Sequence, residues 1–262
     1  RWAHTVAGCF EGTRFYLRRH EIVLTGMPLR AELARRAEEL QGEDPKPGGE
    51  NSKFETRNSK PGGEDSNFRV LVMGGSRGAH RLNETVPRAI GMCRELGLPV
   101  EVVHLSGSAD EEAVKALYDA AGVPHRVAAY HHDMAEIYAS QDLAVCRAGA
   151  ATCAELSASG LPALLEPYPY ATADHQTFNA RAMEKCGAAD VVPDHELTEE
   201  WLKDYLASCI AEPERLVRMR ASSRGRSVGH GSQGPFVGEL GPHAWLGSAV
   251  DAGGMGTRRT YV

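Results

Sequence analysis

Hydrophobic and polar positions along the middle of the chain predict strands and helices in strict alternation. Six short apolar, β-rich runs predict strands at 68–73, 100–105, 126–130, 143–146, 162–167 and 189–192. The stretches between and after them have helical periodicity and predict helices at 79–96, 110–121, 133–139, 151–159, 174–185 and 198–211. Such alternation is typical of βαβ units. We therefore predict an α/β fold of Rossmann-like type, with a parallel sheet covered by helices on both faces.

Two segments depart from this alternation. The unit KPGGENSKF, which begins at Lys46, recurs as KPGGEDSNF from Lys60. This composition buries too little apolar surface to offset the entropy of ordering, so we predict a disordered insertion over 41–67. The segment 222–262 is dense in glycine and shows no helical or strand period, which predicts a disordered or non-native tail.

The charge and cysteine patterns exclude several classes of function. The 262 residues carry a formal net charge of −6 without a basic stripe, which argues against a nucleic-acid partner. Six cysteines show no CxxC or His/Cys ligand spacing, so we expect reduced thiols and no disulfide framework. No apolar run approaches the ~20 residues that span a bilayer. No Asp-x-Asp motif lies in a loop suited to a metal, and we predict no obligatory metal and no cofactor.

The first candidate binding site is the glycine turn after the strand at 68–73. Gly74 and Gly75 allow the backbone to approach a ligand, and Ser76 offers a hydroxyl. The helix then begins near Gly78, so its dipole and the amides of the turn form a potential anion site. The alternative is that the glycines only permit tight packing of the strand against the helix. The turn matches neither the dinucleotide fingerprint nor the Walker A pattern.

A second glycine turn, in RAGAATCAE, opens the helix predicted at 151–159. Gly149, Ala150, Ala151 and Thr152 form a turn that a diphosphate can approach closely. Glu155 lies about one turn into the helix, where a carboxylate accepts hydrogen bonds from a ribose diol. The alternative for Glu155 is a purely stabilising interaction with the helix dipole.

Two more loops hold polar side chains at the same expected edge of the sheet. In DHQTFNA, Gln176 and Asn179 lie three residues apart on one helix face and present amides suited to sugar hydroxyls. We interpret Asp174 as the N-cap of that helix. His175 is either a candidate acid or base or an exposed residue. In TGMPLR, Arg30 faces either a phosphate or solvent.

Taken in order, these motifs resemble the MurG family of bacterial glycosyltransferases, which transfer GlcNAc from UDP-GlcNAc to the lipid-linked muramyl-pentapeptide of peptidoglycan synthesis. The motifs are TGMPLR, VMGGSRGAHRLNETVP, HHDM and CRAGAATCAELSASGLPALLEPYPYATADHQTFNA. The resemblance runs from about Phe10 to about Met219. It implies a GT-B fold of two Rossmann-like domains. In this chain, 26–221 would be the UDP-GlcNAc-binding domain, and 1–25 a remnant of a largely missing N-terminal acceptor domain.

The resemblance also assigns site residues. It places Arg30 and Ser76 on the diphosphate, the main chain of His131 on the uracil edge, and Gln176 on the GlcNAc hydroxyls. Phosphate and ribose would be held by the second glycine turn and its helix, through Ala150, Ala151, Thr152, Cys153, Ala154 and Glu155. Of these, Glu155 would contact the ribose hydroxyls. Two positions depart from the family pattern, since His131 replaces a commonly apolar residue and Met27 replaces a usual Asn.

An inverting hexosyltransferase is the activity that the resemblance implies. The acceptor loop, the presumed general base and the membrane-facing patch belong to the family's N-terminal domain. We therefore expect no catalytic residue in this chain and no activity of the chain alone. The full-length protein is expected to be cytoplasmic and peripheral on the inner face of the bacterial plasma membrane, and to meet both the membrane and the acceptor through that domain.

Three alternatives remain at the level of sequence. One is another GT-B enzyme that uses a UDP-sugar, such as a glycolipid glycosyltransferase or an epimerase. Another is a non-catalytic UDP-sugar-binding subunit of a split glycosyltransferase. An NAD-binding Rossmann domain is disfavoured because GGSRGA lacks the GxGxxG spacing.

Overall fold

The computed structural model describes residues 5–8, 21–24, 29–35, 67–74, 79–171 and 174–224. Four residues of the first glycine turn lie outside this part of the chain, namely Gly75, Ser76, Arg77 and Gly78. Met27, almost all of the predicted insertion, and the tail after Arg224 lie outside it too.

The described strands and helices follow the predicted alternation. The strands are β1 Thr5–Gly8, β2 Glu21–Leu24, β3 Phe68–Met73, β4 Val100–Leu105, β5 His125–Ala128, β6 Leu143–Cys146, β7 Ala163–Leu165 and β8 Ala189–Val191. The helices are α1 His80–Glu95, α2 Glu111–Ala121, α3 Met134–Ser140, α4 Ala150–Ser159, α5 His175–Lys185, α6 Glu199–Ala211 and α7 Pro213–Arg224, with a short 3₁₀ helix at Asp194–Glu196. Residues 31–35 are also helical.

The predicted parallel sheet is confirmed. Six strands are hydrogen-bonded in the order β5-β4-β3-β6-β7-β8, and every pairing is parallel. Strand β3 lies at the centre, with Val70 beside Val102 of β4 on one side and Leu143 of β6 on the other. β1 and β2 form a separate parallel pair.

Helices cover both faces of the six-stranded sheet, as predicted. On one face Val70 and Val72 pack in a core with residues of α1, α2, α6 and α7. On the other face Leu71 and Met73 pack with residues of α3, α4 and α5. Leu33 belongs to this second core, and it is 1% exposed. The segment that carries Arg30 is thereby packed beside α3 to α5.

Helix α7 was not predicted, and it continues past the proposed domain boundary at 221. Its first residue is Pro213, a residue favoured at the first position of a helix because its fixed φ suits that position. Only Leu216 and Met219 of this helix are buried hydrophobic residues. So narrow an apolar stripe gives too weak a periodic signal to predict a helix. No helix in the described part of the chain is long and apolar enough to cross a membrane.

Candidate functional site

The strand order places a crevice beyond the carboxyl ends of β3 and β6. From β3 the chain runs outward through β4 and β5, then crosses to β6 and runs outward the other way through β7 and β8. Loops that leave neighbouring strands in opposite directions open a crevice, and ligands of α/β proteins bind there. Gly74 follows β3, while the N–H of Arg147 after β6 bonds to the carbonyl of Met73 at 3.4 Å. Both predicted glycine turns therefore begin at this crevice.

The helices that begin beside the crevice differ from the others at their N-termini. α1, α4 and α5 have neither a side-chain cap nor an acidic residue in the first turn. α2, α3, α6 and α7 all have acidic residues there. The first amides of a helix have no partner within it, so uncapped helices without acidic first turns are suited to bind an anion.

At the start of α4, glycine is not required by the fold. Gly149 has φ −63° and ψ 147°, a conformation open to any residue. A Cβ at this position would lie 3.6 Å from Oγ1 of Thr152, an ordinary contact. The missing side chain thus leaves space in front of the uncapped α4 N-terminus without serving the packing of the protein itself.

Within the set from Ala150 to Glu155, the structure separates the residues that face the crevice from those that face the core. The side chains of Cys153 and Ala154 are fully buried. Burial raises the pKa of the Cys153 thiol to about 12, so this residue remains protonated. Only the main chain of these two residues is suited to a ligand, whereas Ala151 is exposed and Thr152 is half-buried.

Both oxygens of the Glu155 carboxylate have partners. The hydroxyl of Tyr138 in α3 donates to Oε2 at 2.8 Å, and Nε of Arg30 lies 3.4 Å from Oε1. The Glu155 side chain is 15% exposed and that of Arg30 is 49% exposed. The carboxylate is therefore held at the edge of the crevice, one side against buried protein and the other toward solvent.

Arg30 joins Glu155 to the loop after β5. Its NH1 group donates to the carbonyl of His132 at 3.1 Å. In the same loop, Nδ1 of His131 donates to the carbonyl of Asp133 at 3.1 Å, and Nε2 accepts from Arg126 at 3.0 Å. Arginine only donates, so the second bond assigns the ring hydrogen of His131 to Nδ1. With its ring engaged, His131 has its main chain left to contact a ligand.

Helix α5 brings Gln176 to the crevice and fixes Asn179 beneath it. Oε1 of Gln176 accepts from the N–H of Tyr168 at 3.0 Å. Asn179 is buried, and its amide donates to the carbonyl of Ala148 at 3.0 Å. This bond ties α5 to the turn ahead of α4. His175 is exposed, while Asp174 occupies the N-cap position with φ 55° and makes no side-chain cap bond.

A charge cluster that the sequence did not predict joins α1, the residue after β6, the residue after β7 and the 3₁₀ helix. NH1 of Arg147 lies 2.7 Å from Oε1 of Glu166 and 3.3 Å from Oδ1 of Asp194. Nε of Arg81 in α1 lies 3.5 Å from Oδ2 of the same aspartate. Burial raises the pKa of Glu166 to about 9, and the proximity of Asp194 acts in the same direction. The only sequence signal was a lone carboxylate in the apolar run PALLEP.

Comparisons with known proteins identify relatives of this chain. The chain is 46% identical over 155 residues to an enzyme of Hahella chejuensis named UDP-N-acetylglucosamine--N-acetylmuramyl-(pentapeptide) pyrophosphoryl-undecaprenol N-acetylglucosamine transferase, covering 59% of this chain and 43% of that protein. It is 39% identical over 227 residues to the enzyme of the same name from Chromohalobacter salexigens, covering 87% and 56%. The chain thus spans about half the length of the curated relatives it matches.

A solved structure and a family match point the same way. The crystal structure of Acinetobacter baumannii MurG aligns with a TM-score of 0.57 and 34% identity, covering 62% of this chain and 48% of that one. The Glycosyltransferase family 28 C-terminal domain matches residues 69–232, more than half of the chain. The predicted α/β fold of GT-B type is confirmed, and the chain belongs to glycosyltransferase family 28 through its C-terminal domain.

Proposed function

We propose that this chain binds UDP-GlcNAc and supplies the donor side of the transfer of GlcNAc to undecaprenyl-diphospho-muramoylpentapeptide, the step from lipid I to lipid II. One observation carries the proposal. Glu155 lies five residues beyond the start of the uncapped α4 N-terminus, which corresponds to about 7.5 Å along a helix. A diphosphate at the N-terminus and a ribose diol on the carboxylate fit this separation.

We assign the remaining contacts to the loops around the crevice. The diphosphate lies between the N-termini of α1 and α4, with Thr152 and Ser76 as hydroxyl donors. The uracil ring lies against the main chain of His131, in the loop that Arg30 joins to Glu155. Arg30 reaches the diphosphate by giving up its contact with either Glu155 or the carbonyl of His132.

The sugar lies toward α5 in this proposal. The amide oxygen of Gln176 accepts from the Tyr168 N–H, so the NH₂ group is the part available to the GlcNAc hydroxyls. Gly74 and Gly75, the second of which lies outside the described residues, are assigned to the diphosphate. Asn179 acts from beneath by fixing α5 to the turn at Ala148.

The proposed reaction is an inverting displacement. The muramyl 4-hydroxyl attacks the anomeric carbon, its bond to the diphosphate oxygen breaks, and UDP leaves. Negative charge grows on the leaving diphosphate, where preorganised amides and a cation stabilise it. The general base, the acceptor and contact with the inner face of the plasma membrane are assigned to the acceptor domain of the whole enzyme. This chain alone is accordingly expected to bind the donor without transferring it.

Calorimetric titration of the chain with UDP-GlcNAc, UDP-glucose and NAD tests the proposal. We expect saturable binding of UDP-GlcNAc and none of NAD. Glu155→Ala should weaken UDP binding by roughly 1–3 kcal/mol, because the ribose hydroxyls lose their acceptor. Glu112→Ala, at an exposed position of α2, is the control and should bind as the parent does. Binding of NAD alone, or unchanged UDP affinity of Glu155→Ala, would contradict the proposal.

A further inference from the structure

Tyr138 is the buried partner of the carboxylate that faces the crevice. The residue lies in α3, its side chain is 1% exposed, and it packs in the core between the sheet and α4. Its hydroxyl lies 2.8 Å from Oε2 of Glu155 and 3.8 Å from Sδ of Met73. The much closer carboxylate takes the single hydroxyl hydrogen. This aromatic side chain, which reads as a core residue in the sequence, thus ends in a polar contact with the site.

The two partners of Glu155 differ in rigidity. The terminal torsion of a glutamate side chain is broad, so a carboxylate rotates freely unless a neighbour fixes its plane. Arg30 is half-exposed, and exposed ion pairs hold their geometry weakly. Tyr138 is locked by packing and presents its donor from the protein interior. Burial and the Glu155 carboxylate both raise the pKa of Tyr138, so the hydroxyl remains a donor.

We propose that Tyr138 is a positioning residue for nucleotide recognition: its hydroxyl fixes the plane of the Glu155 carboxylate so that the lone pairs left over meet both hydroxyls of a ribose. The inference rests on the function proposed above. A carboxylate offers about four lone-pair sites, of which Tyr138 and Arg30 occupy two. A fixed plane directs the remaining sites at a vicinal diol, which favours ribonucleotides over 2′-deoxyribonucleotides.

Titration of the full chain with UDP and with 2′-deoxy-UDP tests this selectivity. The parent protein should bind UDP more tightly than the deoxy compound. Tyr138→Phe should lower the affinity for UDP about tenfold, the usual worth of one well-placed hydrogen bond, and change the affinity for 2′-deoxy-UDP less than about twofold. The ratio of the two affinities is the decisive readout, because general damage to the fold lowers both together.

The chain contains a matched control. The hydroxyl of Tyr205 donates to Oδ2 of Asp190 at 2.7 Å, and NH2 of Arg215 lies 2.7 Å from the same oxygen. The same three groups, a tyrosine, a carboxylate and an arginine, meet around Glu155, although there the two donors contact different oxygens of the carboxylate. Tyr205, Asp190 and Arg215 lie in α6, β8 and α7. Tyr205→Phe should lower thermal stability as Tyr138→Phe does, yet leave the UDP to 2′-deoxy-UDP ratio unchanged.

Tyr138→Phe leaves the Glu155 carboxylate without its buried donor, and the variant could fold poorly for that reason alone. A double-mutant cycle separates this effect from the positioning role. Once Glu155→Ala has removed the carboxylate, adding Tyr138→Phe should change UDP affinity by less than about twofold. A further loss in that background, or full selectivity for UDP in Tyr138→Phe, overturns the positioning role while the proposed function stands. Absence of UDP binding by the parent protein overturns both.

Discussion

Oε1 of Gln176 accepts a 3.0 Å hydrogen bond from the main-chain N–H of Tyr168, which leaves the NH₂ group as the other hydrogen-bonding group of that side chain. Gln176→Glu keeps an oxygen for the Tyr168 N–H and replaces the NH₂ donor with an acceptor. We expect the affinity for UDP-GlcNAc to fall about tenfold and that for UDP to change less than about twofold, because only the sugar loses a donor. Calorimetry with both ligands measures the difference. Equal losses for the two ligands would place Gln176 on the nucleotide instead of the sugar.

Gly149→Ala should separate ligand affinity from stability. The residue has φ −63° and ψ 147°, and its added Cβ meets only Oγ1 of Thr152 at 3.6 Å. We expect the free energy of unfolding in urea to change by less than ~1 kcal/mol, since a strain-free Gly→Ala replacement also restricts the unfolded chain. UDP affinity should fall, because the methyl group enters the space before the α4 amides.

Gly160 supplies the matched contrast at the other end of α4. It ends the helix with φ 67° in the left-handed region, where a side chain costs roughly 1–2 kcal/mol. Gly160→Ala should therefore lower the free energy of unfolding, while the folded variant should bind UDP with the affinity of the parent. Parent-like UDP binding by Gly149→Ala would remove the turn from the proposed diphosphate site.

The strands and helices that the sequence predicted correctly are those set by the local periodicity of apolar residues. β3 and β4 begin and end where predicted, because their apolar residues are buried on both faces of the sheet and form near-continuous runs. The two glycine turns were predicted as binding sites because they stand next to predicted strand ends, and Glu155 because it lies about one turn into the helix after the second turn. Three of the four candidate loops follow strands of the six-stranded parallel sheet, which explains their position at one edge, whereas the loop with Arg30 follows β2 of the separate pair.

Contacts between distant elements left no such signal. Tyr138 and Glu155 are 17 residues apart, and Arg147 and Asp194 are 47 apart. Their pairing depends on how helices cross the sheet, which no window of sequence records. Tyr138 also lies on the apolar face of α3, where a tyrosine reads as a core residue whether or not its hydroxyl has a partner. Long-range polar contacts therefore had to come from the structure.

A buried histidine network ties α1 to the end of β4. The side-chain NH₂ of Asn83 donates to the carbonyl of Ser106 at 2.9 Å and to Asp110 at 2.7 Å, so its Oδ1 is the acceptor for Nε2 of His104 at 2.9 Å. Nδ1 of His104 accepts from the Tyr118 hydroxyl at 3.0 Å. These bonds require the neutral ring with its hydrogen on Nε2.

The pH dependence of stability should reveal this histidine. Burial lowers the pKa of His104 from 6.5 to about 3. As the pH falls below 6.5 the unfolded chain takes up a proton that the folded chain does not, so the free energy of unfolding should fall by up to ~1.4 kcal/mol per pH unit. His104→Gln should be less stable at pH 7.5 and lose less stability between pH 7.5 and 5. Urea denaturation at several pH values measures both slopes. His195→Gln, at an exposed position, is the control, and an unchanged slope in His104→Gln would contradict the assignment.

The buried acid Glu166 should make stability depend on pH in the opposite direction to His104. Its carboxylate is fully buried beside Arg147, and Oε2 has no hydrogen-bond partner among the described residues. The pKa of Asp194 is lowered, because this carboxyl contacts Glu166 and lies beside Arg147 and Arg81. The two opposite pKa shifts favour a neutral Glu166 beside an ionised Asp194.

Glu166→Gln tests whether this buried acid is neutral. With a pKa raised from 4.5 to about 9, the folded protein keeps a proton that the unfolded chain releases above pH 4.5, so this residue's contribution to stability is lost as the pH rises toward 9. Glutamine does not titrate, so the variant should gain stability relative to the parent between pH 5.5 and 8.5 in urea denaturation. Glu184→Gln, which breaks a surface pair with Arg181, serves as the control and should change stability by no more than ~1 kcal/mol. If Glu166 were instead ionised in its pair with Arg147, Glu166→Gln would be destabilised by a constant amount across this range, as expected for a buried arginine left without its charge partner.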